Sequence, residues 1–156
     1  MFPVVDGLRS IEFGSPGKSR ENLINFIING NKRATAGLAS DYAKEGEEVE
    51  FVGECLAMVD NDMRHVATLQ VTRVEVTRFA DVPDEFALAE AEGDLNAADF
   101  RASHSEYWTK AGETITDDTM INQVYFALLT LRLRGLEISD AEWITRACQD
   151  EEVQRW

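Results

Sequence analysis

Cysteine, proline and basic side chains are all scarce in this chain. Its 156 residues hold two cysteines and three prolines. Cys55 and Cys148 form no C-x-x-C or zinc-ligand spacing, and they read as reduced, largely buried thiols. Lys and Arg total 15 against 29 Asp and Glu, a formal charge of −14. That field repels phosphate backbones and excludes a generally basic nucleic-acid coat protein; RNA binding would need a local basic patch. No apolar run is long enough to span a bilayer. The opening MFPVVDGLRSIEF lacks the basic start and long apolar stretch of a secretory signal, so the expected location is cytoplasmic. Hydrophobic residues make up 44% of the chain, a folding composition that fits one domain with its own core.

No internal repeat or low-complexity linker interrupts the chain. Leu23, Phe26 and Ile27 recur at helical spacing and predict a helix over Ser19–Asn29, with Ser19 as its cap and Gly30 closing it in a left-handed conformation. Residues 43–54 are acidic and polar, and the run from Glu45 to Glu54 reads as a solvated face. Cys55–Val59 reads as a short strand, Asp60-Asn61-Asp62 as a turn, and His65–Phe79 as a long strand. In that strand Leu69 and Val71 share one face and Val74 and Val76 the other, which places a bulge near Thr72-Arg73. Helices are expected over Val82–Ala91, closed by Gly93, and over Ala97–Ala111, capped by Asn96. Gln123–Leu133 reads as a strand. A capping box at Ser139-x-x-Glu142 opens a last helix. Strands and helices mix without regular alternation, so the expected class is α+β.

Phosphate-binding glycine loops, dinucleotide fingerprints, H-E-x-x-H and the serine-hydrolase elbow are all absent. His65 and His104 are the only histidines. No metal-ligand spacing is recognisable, and no metal or other cofactor is expected. What remains is Gly30-Asn31-Lys32-Arg33-Ala34-Thr35. A lysine there can hold an anion or act as a base, and a threonine three residues on offers a hydroxyl that needs a neighbouring base to attack. By composition alone the same residues read as a solvated lysine and the first residue of a strand.

In order along the chain, several segments resemble the ASCH domain family. Phe13-Gly14-Ser15-Pro16 resembles its opening stretch. Gly30-Asn31-Lys32-Arg33-Ala34-Thr35-Ala36 is similar to its G-x-K-x-x-T-x signature. Asp41-Tyr42 followed by Glu45-Gly46-Glu47, and then Gly53-Glu54, are similar to later segments. Phe86 through Glu90-Ala91-Glu92-Gly93-Asp94 resembles a helix end of the family. Phe100-Arg101-x-x-His104-x-x-Tyr107-Trp108 resembles the helix that follows. The likeness covers roughly Ile11 to Leu133. It implies a PUA-like mixed or antiparallel β-barrel with flanking helices, a single domain over 1–156, with 137–156 as a helical C-terminal extension.

The resemblance also implies a ligand and chemistry. The ligand is a nucleobase, nucleoside or single-stranded RNA segment, not double-stranded DNA or a membrane. One activity in the family hydrolyses the amide of N4-acetylcytidine. Carried over, it makes Thr35 the nucleophile, Lys32 its activator and Glu92 a proton carrier or orienter. The alternatives are a metal-dependent ribonuclease, which would need a divalent ion, and a non-catalytic RNA-binding or protein-interaction domain. Arg33, Tyr42, His104 and Tyr107 are the ligand-binding candidates. His104, Tyr107 and Trp108 also fit the packing face of a helix, and Arg33, Arg73 and Arg78 are candidate phosphate contacts. Two positions depart from the family pattern. Gly37 stands where the small amidohydrolases have arginine, and Gly37-Leu38-Ala39-Ser40 stands where longer members have S-L-L-W.

Overall fold

Two long strands carry the architecture. In the computed structural model, which describes residues 3–131, β5 (His65–Arg78) and β6 (Met120–Leu131) pair antiparallel from Ala67↔Leu131 to Arg78↔Met120. Around them lie β1 (Val4–Val5), β2 (Leu8–Ile11), β3 (Ala34–Leu38) and β4 (Cys55–Val59), in the order β1-β2-β4-β5-β6-β3. Only β2 and β4 pair in parallel, so the six-stranded sheet is mixed. Four helices accompany it: α1 (Lys18–Ile28), α2 (Ala39–Glu45), α3 (Asp84–Glu90) and α4 (Ala97–Lys110).

The α+β class is as expected, but closure into a barrel is not seen. Among the described residues the sheet ends on β1 and β3, and these two strands do not pair. The bulge expected near Thr72-Arg73 is present. Val71 pairs with Phe126 and Arg73 with Tyr125, leaving Thr72 as the extra residue. Such a residue bends the strand and raises its twist without closing the sheet.

Successive side chains of β6 point to opposite faces, and they feed different clusters. Ile121 and Tyr125 pack with Phe79, Phe86, Phe100 and Trp108 beneath α3 and α4. Phe126 packs with Phe13, Ile24, Ile27, Met58 and Leu69 beneath α1. Phe86 and Phe100 are fully enclosed and meet edge to face at 5.6 Å; burying each stabilises the fold by about 2–3 kcal/mol.

Several helix boundaries differ from the periodicity reading, each for a local reason. Ser19 lies inside α1 and does not cap it; the preceding Gly17 has φ 98° and makes no side-chain cap. Pro83 confines α3 to Asp84–Glu90, because the residue before a proline disfavours the helical region. Its reversal is made by Ala91 at φ 54°, ahead of Gly93. Asn96 does cap α4, accepting from the N–H groups of Ala98 and Asp99. The hairpin of β1 and β2 and the helix α2 carried no sequence signal. The run from Glu45 to Glu54 is not simply solvated. Glu54 grips the Arg9 guanidinium with both oxygens at 3.0 and 2.8 Å, and Glu50 is buried beside it at 3.7 Å. The helix expected from Ser139, and Cys148 with it, lie outside the described residues.

Candidate functional site

Lys32 is a lysine with almost no surface: 1% of the residue is exposed. The short segment after α1 is pinned at each step. Lys32 N–H donates to Phe26 O, Arg33 N–H to Ala89 O, and Arg33 O accepts from Phe126 N–H. These bonds hold the lysine against the end of α3. Its ammonium donates to Glu92 Oε1 at 2.6 Å and to the Glu90 backbone carbonyl at 3.3 Å, with Glu90 Oε1 at 3.7 Å. A buried cation needs such partners, since desolvating it unpaired would cost several kcal/mol.

Thr35 follows on β3, the edge strand that pairs with β6 at Thr35↔Val124. The next residue gives its backbone N–H to Glu90 rather than to β6: Ala36 N donates to Glu90 Oε1 at 2.7 Å. Glu90 and Glu92 both reach this region because Ala91 between them sits in the left-handed conformation. Burial pushes the Glu90 carboxyl up to about 7, against the opposing pull of Lys32 and with Glu92 and Asp94 adding to the rise. His104, on α4, stacks on Phe100 at 3.9 Å and has Nε2 3.3 Å from Glu90 Oε2. Burial pushes its imidazole down from the ordinary histidine value.

These groups border a cavity of about 430 Å³, within the usual range for a small-molecule site. Thr35 and Gly37 line one wall, Glu90, Glu92 and Asp94 another, and His104, Tyr107 and Trp108 a third. Glu12 and Asp41 complete a rim with five carboxyl groups and no Lys or Arg. Lys32 lies behind Glu90 and Glu92 and is not part of the lining. Among the described residues the Thr35 hydroxyl has no protein hydrogen-bond partner. No group of three or more His, Cys, Asp or Glu is arranged to hold a metal ion among the same residues.

The structure thus brings together Lys32, Thr35, Glu92, His104 and Tyr107 from the predicted set. Arg33 lies elsewhere, in a separate depression with Thr72, Glu85, Leu88 and Tyr125. Tyr42 also lies off the cavity. Its hydroxyl donates to the Glu50 carboxylate, with Oε2 at 3.0 Å, and its ring packs on Gly37, where a Cβ would come within 3.0 Å of it. A side chain at position 37 would press on that ring. Arg73 stacks 3.7 Å over the Tyr125 ring and pairs with Glu85, and Arg78 pairs with Asp81 and Asp118. Both are already committed within the fold. Glu90 is the cavity-lining residue that sequence reasoning missed. Its signal was its position two residues before Glu92 at a helix end, legible only if the chain reverses between them.

The model of the ASCH domain matches residues 9–130. Among solved structures, an ASCH domain from Lactobacillus crispatus JV V101 superposes with a TM-score of 0.66 at 22% identity, covering 78% of this chain and 80% of that one. A protein from Enterococcus faecalis V583 gives 0.67 at 22% identity, covering 77% and 75%. At this identity the structural likeness bears on the fold alone. No curated protein matches the sequence. With the family model spanning well over half of its length, the chain belongs to the ASCH domain family.

Proposed function

We propose that the cavity receives a nucleobase or nucleoside and that Thr35, Glu92 and Lys32 hydrolyse the amide of an acylated nucleoside such as N4-acetylcytidine. The observation that carries this reading is the 2.6 Å contact between the enclosed Lys32 ammonium and Glu92, a residue that lines the same cavity as Thr35, whose hydroxyl has no protein partner among the described residues. Thr35 Oγ attacks the acyl carbon and loses its proton to Glu92. The C–N bond breaks as Glu92 hands that proton to the leaving nitrogen; water, giving a proton to Glu92, then cleaves the threonine ester, and the proton returns to Thr35 Oγ as acetate leaves. Lys32 holds the Glu92 carboxylate in place and balances its charge.

The rim favours a small neutral ligand. The lining holds no Lys or Arg to receive a phosphate, and the cations nearest its acids are already engaged, Lys32 by Glu92, Arg20 by Glu12 and Lys44 by Asp41, so each phosphate brought in would lack a partner. A nucleoside, or a single base turned out of an RNA strand with its phosphates outside, meets that constraint. A PUA-like relation to RNA-binding barrels belongs to the same reading. The metal-dependent ribonuclease gains no support from the arrangement of acids and histidines among the described residues.

The test is a chromatographic time course with N4-acetylcytidine. Wild-type protein is expected to release cytidine, and Thr35→Ala to lose at least about a hundredfold in rate. No release by wild type, or an active Thr35→Ala, overturns the hydrolase. Calorimetric titration with cytidine then tests whether the cavity binds a nucleoside without turnover.

A further inference from the structure

His104 and Glu90 face each other in a way that requires a proton. His104 Nδ1 lies 3.2 Å from the Phe100 carbonyl oxygen, which can only accept, and 3.3 Å from Ser103 Oγ, whose own hydrogen goes to the Asp94 carboxylate at 2.9 Å, so Nδ1 carries the hydrogen. In a neutral imidazole that leaves Nε2 with a lone pair. Glu90 Oε2 lies 3.3 Å from it. As a carboxylate, Glu90 would bring a second lone pair to the same gap, and its fully enclosed Oε2 has no hydrogen bond. Glu90 is not free to turn away, because Oε1 is fixed by Ala36 N–H. His104 is not free either, stacked on Phe100 and packed against Trp108.

We propose that Glu90 and His104 hold a single proton between them, resting on Glu90 and donated to His104 Nε2, and that this pair positions Lys32 and Thr35 for ligand. Burial disfavours charge on both partners, consistent with that neutral arrangement.

The connections to the site are short. Glu90 takes the N–H of the residue after Thr35, and its carbonyl accepts from Lys32. While Glu90 stays neutral, Lys32 belongs to Glu92 at 2.6 Å. Once Glu90 ionises, its carboxylate at 3.7 Å competes for the same ammonium. The charged and titratable groups around the pair are Lys32, Glu92 and Asp94, with Tyr107 on the same helix as His104 and Glu12 and Asp41 elsewhere in the cavity lining. All but Lys32 are acids or a phenol, so loss of the proton adds negative charge to an already acidic site. The proton's apparent pKa belongs to the pair, not to either residue. The pair stands on its own geometry, whereas its effect on turnover rests on the hydrolase reading above.

Long-range 15N–1H correlation of the histidine rings tests the pair without any ligand. His65 and His104 are the only two histidines, so a His65→Gln variant assigns the spectrum. The expected result is His104 as the Nδ1–H tautomer near neutral pH, with Nε2 shifted as a hydrogen-bond acceptor and that shift lost on alkaline titration. Glu90→Gln, whose amide can donate to Nε2 without titrating, is expected to remove the alkaline step. The Nε2–H tautomer, a charged imidazolium at neutral pH, or an alkaline step unchanged in Glu90→Gln overturns the proposal. In the functional arm, wild-type turnover or cytidine affinity falls about tenfold between roughly pH 6.5 and 8.5, and the Glu90→Gln ratio stays within about twofold. An equal fall in both proteins removes the positioning role, and absence of any hydrolysis leaves the spectroscopic result standing.

Discussion

The Lys32 side chain is wholly enclosed, while its partner Glu92 keeps 31% of its side-chain surface exposed. The pair is therefore asymmetric: the cation cannot leave its acid, but the acid has a free edge toward ligand. Removing Glu92 strands a buried charge that Glu90 only partly covers. Glu92→Gln is expected to lose about 2–3 kcal/mol in urea unfolding, toward the low end for a buried pair because Glu92 is part-exposed. Adding Lys32→Met should restore part of that loss by removing the stranded cation. A double variant no more stable than Glu92→Gln alone contradicts this account.

Tyr42 gives a contrasting case. Its burial, the neighbouring Glu50 carboxylate and the hydrogen bond to it push the phenol well above its ordinary value, and burial likewise pushes Glu50 up. Tyr42→Phe leaves Glu50 one donor short and should cost about 1–2 kcal/mol. Because Tyr42 does not line the cavity, its ligand affinity should stay within about twofold of wild type. A calorimetric loss of cytidine affinity, with stability unchanged, would instead make Tyr42 a ligand contact.

Strand existence, the bulge at Thr72 and the Asn96 cap were legible because each is a local signal: β-branched runs, a change of alternation phase, an amide before a helix. The N-terminal hairpin was not, because Val4–Val5 and Leu8–Ile11 are too short to show alternation and depend on β4 for a partner. Lys32, Thr35 and Glu92 could be named from ordered family motifs, but nothing local said that Lys32 is buried. Glu90 was invisible for a geometric reason. Its role depends on a left-handed alanine, a conformation that composition assigns to the glycine two residues on. Arg33 and Tyr42 stand in sequence beside Lys32 and Asp41, and one step along the backbone turns a neighbour in another direction.

That alanine makes its own prediction. Ala91 has φ 54° and ψ 33°, where a Cβ carries a steric cost that glycine escapes. Ala91→Gly is expected to raise stability by about 0.5–1 kcal/mol, offset in part by a more flexible unfolded chain. The Glu90 and Glu92 positions should persist, so cytidine affinity should not fall more than about twofold. A destabilised Ala91→Gly would show that the methyl group contributes packing that outweighs the strain.

The Glu90 carboxyl also sets how stability responds to pH. Its folded value, about 7, lies above the ordinary 4.5. Below about pH 4.5 both folded and unfolded forms are protonated, and the group costs nothing. Between those values the unfolded chain releases the proton and the folded one keeps it, so stability falls as pH rises until both are ionised. The full fall is on the order of 3 kcal/mol. Glu90→Gln does not titrate and should lose this fall between about pH 5 and 8; His104, held below its ordinary value in both proteins, acts in the opposite sense up to about pH 6.5, so the variant's stability should rise slightly with pH where that of the wild type falls. Carboxylates held low by exposed partners, such as Asp81 beside Arg78, act in the opposite sense and at lower pH, so they do not mask it. Urea unfolding of both proteins at the two pH values decides the matter. Equal slopes would mean that Glu90 titrates as an ordinary acid and that the gap to His104 is bridged some other way.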